Sequence, residues 1–292
     1  MMVHITPSTT PREGAYSGSD GLYAQNQAYD VWGNTIQRNG WGGWNPTESS
    51  SYTNNRRNDL TYDAAGNLTF DGENKTYDAT GQQASAVYNS YWNIQHSHDG
   101  DRLRVKKVEN TVATYYLRSS VLGGQVVAEI NGDGTFKRGH VYLGGQMLAM
   151  QENNQVNWVH QDPVTKSQRL TNQSGNVVST IELDPWGGET ARSSQPFIQS
   201  HRFTSYERDM NGRDEAMMRQ HHSWFRKFDQ PDPYDGSYDL TDPQSFNRYA
   251  YVQNDPVNFT DPSGLMQNLF PQTSGAGYGY SGFGGWGRWL QP

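Results

Sequence analysis

The sequence predicts an all-β chain, a winding antiparallel sheet of short hairpins. Three observations carry this. A Tyr-Asp-x-x-Gly turn recurs along the chain, short runs rich in Val, Thr and Tyr separate its copies, and long amphipathic helical periods are scarce. The 292 residues suffice for one large β domain or two smaller ones. Only 33% are hydrophobic, but 18 Tyr, 9 Trp and 31 Gly supply sheet faces and turns.

The clearest repeat runs from Leu60 to Thr69, with Tyr62-Asp63 and Gly66 at its centre. Tyr77-Asp78 with Gly81 follows, and Tyr29-Asp30 with Gly33 is an earlier copy. Weaker copies keep the Asp/Asn-x-x-Gly core at Asn131–Gly134, Asn172–Gly175 and Asp184–Gly187; His98 to Arg102 looks like a copy without its glycine. The spacing has a mechanical reason. An Asp or Asn side chain accepts from backbone N–H groups just ahead, and Gly three residues on takes positive φ without steric cost. A type I turn followed by such a residue closes a hairpin with a bulge. Between turns, segments 113–117, 125–130, 140–143, 147–151 and 177–183 read as strands, punctuated by Gly123-Gly124 and Gly144-Gly145.

Charge and composition exclude several functions. The net charge is −7 with no basic stretch, so neither a nucleic-acid footprint nor a polybasic membrane patch is expected. Arg56-Arg57 and Lys106-Lys107 read as solvated pairs. Cysteine is absent, which excludes disulfides and Cys-type zinc sites. No apolar run is long enough to span a bilayer, and Met1 to Arg12 lacks the apolar core of a signal peptide. An export signal is expected upstream of this chain. His96-x-His98 and His221-His222 are read as solvent-facing rather than as metal ligands, because no third ligand stands at telling spacing. Asp99-Gly-Asp101 and Asn131 to Gly134 read as turns, lacking a full calcium-ligand series. No cofactor motif is present.

Composition shifts near Phe203. Segment 203–265 is denser in charge, aromatics and Asp-Pro pairs; within it, Asp214 to Arg219 fits a short helix, with Trp224 and Phe225 equally able to sit on a strand. Segment 266–292 is Gly-, Tyr- and Trp-rich without period, and reads as an extended or disordered tail.

Taken together, the repeats, Arg202 to Asp209, Pro231-Asp232-Pro233, Asn247 to Pro256 and Pro256 to Leu265 resemble the bacterial RHS/YD-repeat family and its RHS-repeat-associated core domain. Pro256, Asp261, Pro262, Gly264 and Leu265 fit the family's terminal P-x4-D-P-x-G-L pattern at every specified position. Segment 213–222 departs from the Gly-Leu-Asp-Tyr and Arg-Tyr-Tyr pattern usual there. The resemblance implies a repeat shell over 1–202, a core or plug over 203–265, and a truncated or remnant cargo over 266–292. It implies a secreted or cell-surface protein of the polymorphic-toxin type that encloses its own C-terminal effector. Expected partners are that effector, an upstream repeat and delivery region, and an immunity protein. It further implies self-cleavage by an aspartyl mechanism between Leu265 and Met266.

Such chemistry needs two carboxyl groups that share one proton. Asp261 and Asp232 are the candidates, with Arg219 or Arg248 to orient a carboxylate or steady the oxyanion. Asp261 to Gly264 also has the spacing of one more repeat turn. The competing reading is a non-catalytic surface or carbohydrate-binding repeat protein, in which Trp32, Trp41 and Trp44 stack on a glycan.

Overall fold

The computed structural model describes residues 16–19, 24–41, 47–162, 165–265 and 268–269. Its largest element is a thirteen-stranded sheet in which each strand pairs antiparallel with its sequence neighbour. The meander runs from Thr61–Tyr62 to Val177–Ile181 and does not close on itself. A separate four-stranded sheet, Tyr16–Ser19, Ala24–Tyr29, Thr35–Trp41 and Glu48–Ser49, precedes it. After the meander the chain folds into short 3-10 turns and a small sheet of Glu207–Arg208, Asp214–Glu215, Gln220–His222 and Lys227–Phe228. Among the described residues no helix is long and apolar enough to cross a membrane.

The repeat turns make the hairpins as expected. In each, the Gly N–H donates to the Asp or Asn carbonyl three residues back, as from Gly33 to Asp30, Gly66 to Asp63 and Gly81 to Asp78, all at 3.0 Å. The Asp78 carboxylate also accepts from the N–H groups of Thr80 and Gln82, at 2.8 and 3.0 Å. The His98 to Arg102 copy closes the same way, and Arg102 takes the glycine's place at φ +64°. A further copy, Asp209 to Gly212, went unread in the sequence.

One face of the meander is covered by the segment that follows it, and much of that face is polar. His96, Arg104, Lys107, Thr114, Glu129, Arg138 and His140 are all buried. Burial alternates along the strands, so the face is inherent in the pleat. Arg104 meets Asp209 at 2.7 Å and Glu207 at 2.8 Å, and Lys107 meets both at 2.9 Å. The Tyr116 hydroxyl donates to Glu207 at 2.7 Å. Two readings are corrected here. Lys106-Lys107 is not a solvated pair: Lys107 turns into the ion-pair network, and Lys106 lies over the Tyr115 ring on the other face. His96 is buried because the covering segment closes over it, and His221 and His222 are buried within that segment, His221 among Phe203, Tyr251 and Phe228. Apolar residues cluster in two places: Met147, Met150, Val159 and Leu170 on late strands of the meander, and Ile181 and Leu183 at its end with Phe203, Tyr206, Ala216, Phe228, Tyr251 and Val252 of the covering segment.

The 203–265 segment also grips the repeat turns. Asn247 and Asn254 donate to the carbonyls of Trp32 and Gly33 at 3.0 and 2.8 Å, and the Tyr249 hydroxyl donates to that of Gly66 at 2.7 Å. Asp214 to Arg219 is not a helix. Asp214–Glu215 is a buried strand, Met217 turns at φ +57°, and the ion pair of Asp214 with Arg208 fixes the extended form. Trp224 and Phe225 sit on the turn between Gln220–His222 and Lys227–Phe228.

Candidate functional site

Asp232, Asp261 and Arg219 come together from distant parts of the chain. Pro231 and Pro233 restrict the backbone around Asp232. Its N–H donates to the Arg248 carbonyl at 2.9 Å, and its Oδ1 accepts from the Tyr234 N–H at 2.8 Å. Asp261 follows the short strand Phe259–Thr260. Its Oδ1 accepts from the Leu265 N–H at 3.0 Å and the Ser263 hydroxyl at 3.3 Å. The Gly264 N–H lies 3.4 Å from the Asp261 carbonyl. Asp261 to Leu265 therefore has the hydrogen bonds of a repeat turn.

Each carboxylate keeps its Oδ2 for the same nitrogen. Arg219 Nη2 lies 3.2 Å from Asp261 and 3.4 Å from Asp232. Arg219 Nη1 donates to the Arg248 carbonyl at 3.0 Å, and Nε donates to the Gly264 carbonyl. The guanidinium stacks on the Phe228 ring, 3.6 Å from its centroid. Arg248 enters the hydrogen bonding by its backbone only, though its charge also lowers Asp232. Its side chain reaches out to Asp235 at 3.4 Å.

Two carboxylates against one guanidinium leave the site one positive charge short. Holding a proton removes that deficit. Burial pushes the Asp232 carboxyl up, only partly opposed by Arg219. Burial likewise pushes the Arg219 guanidinium down, against the pull of Asp232 and Asp261. The motif residues hold the turn. Pro256 is buried, Pro262 is exposed and Leu265 half-buried. Met266 lies outside the described residues, as does most of the tail.

Gly264 sits at φ +73°, and a Cβ there would stand 2.5 Å from the Ala216 carbonyl oxygen. Gly264→Ala is expected to cost about 2–4 kcal/mol, combining left-handed strain with a clash against backbone that cannot swing away. Gly81→Ala, at φ +82° with nothing within 4 Å, is expected to cost only about 1–2 kcal/mol. Urea unfolding of both variants checks the difference, and equal losses would contradict it.

Among the described residues, two other clusters bring metal-ligand atoms within 4.8 Å of one another: Glu129 with His140 and His201, and His96 with Asp209 and Glu215. Fixed cations already meet these carboxylates. Lys137 and Arg138 stand 3.1 and 3.5 Å from Glu129, and Arg104 and Lys107 pair with Asp209. An incoming metal ion would meet a neutralised site. Of the three tryptophans considered for glycan stacking, Trp32 is exposed on its turn, and the side chains of Trp41 and Trp44 lie outside the described residues.

Sequence reasoning missed the roles of Tyr206 and Phe228 at this site. The Tyr206 hydroxyl donates to the Asp261 carbonyl, and Phe228 is the floor under Arg219. Nothing in the spacing of either residue marks it, since both reach the site through tertiary folding.

No protein-family model matches the chain. A tRNA3(Ser)-specific nuclease WapA of Bacillus spizizenii is 26% identical over 214 residues, 70% of this chain and 9% of that protein. Toxin subunit YenC2 of Yersinia entomophaga is 27% identical over 117 residues, 39% of this chain and 11% of that protein. The chain thus spans a small part of the length of both relatives. Among solved structures, a TcdB2-TccC3-Cdc42 crystal structure matches with a TM-score of 0.65 over 89% of this chain and 14% of that chain, at 19% identity. A Photorhabdus luminescens Tc holotoxin pore carrying a TccC3 mutation matches with a TM-score of 0.64 over 86% of this chain and 14% of that chain, also at 19% identity. These structures share the fold of the open antiparallel sheet and the segment packed on it. Over most of its length, the chain is a distant homologue of the RHS/YD-repeat toxin proteins.

Proposed function

We propose that the chain is the terminal shell-and-plug part of an RHS-type toxin, which encloses a C-terminal effector and cuts itself between Leu265 and Met266. One observation carries this reading: Arg219 Nη2 touches both the Asp232 and the Asp261 carboxylate, while Asp261 Oδ1 holds the N–H of Leu265. In the proposed step the Asp261 carboxylate takes a proton from water, whose oxygen attacks the Leu265 carbonyl carbon. Asp232, protonated, donates to the leaving nitrogen of Met266 as the C–N bond breaks. Arg219 keeps Asp261 ionised and the turn in place. The products are a carboxylate at Leu265 and an amine at Met266. On this reading, segment 203–265 is the plug and segment 1–202 the wall. The relatives named as a nuclease and a toxin subunit support an effector as the cargo, delivered outside the producing cell.

Intact-mass measurement on the freshly made chain tests the cleavage. Two fragments are expected, and Asp261→Asn should leave a single full-length species. A parent chain that stays whole on prolonged incubation would refute it.

A further inference from the structure

We propose that Tyr206 is a positioning residue for the cleavage, fixing the Asp261–Leu265 turn against Arg219 by its hydrogen bond to the Asp261 carbonyl oxygen. This rests on the self-cleavage reading above. Asp261 is held at two points. Its carbonyl accepts from the Tyr206 hydroxyl, and its carboxylate meets Arg219 at 3.2 Å. Both holders belong to one aromatic platform. Tyr206 stands edge-on to Phe203 at 6.0 Å between centroids, and Phe203 lies 5.2 Å from Tyr251. Tyr251 lies 5.9 Å from Phe228, the ring that carries the Arg219 guanidinium. Tyr206, Phe203, Tyr251 and Phe228 are all buried. The distance from the phenol to the guanidinium is thus set by close-packed rings, and Asp261 is suspended between them.

The backbone on both sides of the platform is strained. Thr204 and Ser205, just before Tyr206, have φ of +49° and +69°. Val252, Gln253 and Asn254, just after Tyr251, have φ of +41°, +51° and +65°. None is glycine, and Val252 is β-branched, which makes the left-handed region costly there. Such conformations persist where the surroundings over-determine them, and they cluster where geometry serves function. Burial raises the Tyr206 phenol, with the nearby Asp261 adding to the effect. The hydroxyl therefore remains a donor throughout the range in which the carboxylates titrate.

Tyr206→Phe separates this role from ring packing, since it keeps the ring and removes only the donor. The full chain and this variant are made by cell-free translation, and conversion to fragments is timed by mass spectrometry across about pH 4 to 8. The variant is expected to cut about tenfold more slowly, the equivalent of one lost hydrogen bond. Its acid limb should move to higher pH, because a loosened Asp261 loses part of the Arg219 field that keeps it ionised. A purely structural role would lower the melting temperature and leave that limb in place. A parent that cuts, with a variant matching its rate and profile, overturns the inference and leaves the cleavage reading standing. A parent that never cuts overturns both.

Discussion

Replacing Arg104 by Ala is expected to lower the unfolding free energy by about 3–5 kcal/mol. Arg104 is fully buried on the covered face of the large sheet. Burial works against its charge, and the fields of Asp209, Glu215 and Glu207 more than offset that. Removing the guanidinium leaves Glu207 and Asp209 buried with Lys107 as their remaining close cation from the sheet. Most of the loss is the penalty of those stranded carboxylates rather than the worth of the pairs themselves. Arg104→Met combined with Asp209→Asn, which leaves Glu207 ionised as the partner of Lys107, should therefore recover part of it. Denaturant unfolding measures both, and a loss below about 1 kcal/mol for Arg104→Ala would contradict the account.

Acid is expected to weaken the fold in two stages. Burial, helped by neighbouring His140, lowers the His201 imidazole to about 3 from an ordinary 6.5. Between those values the unfolded chain binds a proton that the folded chain refuses, so stability falls as pH drops from 6.5 to about 3. The loss is about 5 kcal/mol in order of magnitude. For Glu129, burial pushes upward, but the His140 hydrogen bond and Arg138 prevail and bring it down to about 2 from 4.5. Its contribution is complete above pH 4.5 and is lost as pH falls towards 2. The two groups interact, so the stages overlap rather than add. Melting temperatures measured from about pH 8 down to about pH 4 should begin to fall near pH 6.5, and His201→Asn should shrink that first limb, leaving the share of His98 and His222, whose imidazoles burial also lowers. A parent profile flat down to pH 4.5 would contradict the assignment.

What the sequence disclosed and what it hid follow one division. The Asp-x-x-Gly turns are local, since one side chain and one glycine determine them, and they were legible as far as Asp184 to Gly187, with Asp209 to Gly212 missed. The strands between them were legible for the same reason. The face each strand presents was not. Lys106-Lys107 looks like a surface pair in one dimension, yet the pleat sends Lys107 inward to acids roughly a hundred positions away. His96 and His221 were misread likewise, because the covering segment hides the first and its own aromatic rings hide the second. Asp232 and Asp261 were named from the resemblance and their proline-flanked turns, but their common partner was undecided between two arginines. Only the folded chain separates Arg219, which reaches both carboxylates, from Arg248, whose side chain points to Asp235.

The central claim is that Asp232 and Asp261 act as a pair through Arg219 on the bond after Leu265. Fragment mass and N-terminal sequencing of the chain, with Asp232→Asn and Asp261→Asn measured separately, test it most directly. The account predicts a new N-terminus at Met266 in the parent and none in either variant. A break elsewhere, or one that persists when either carboxylate is removed, would contradict it.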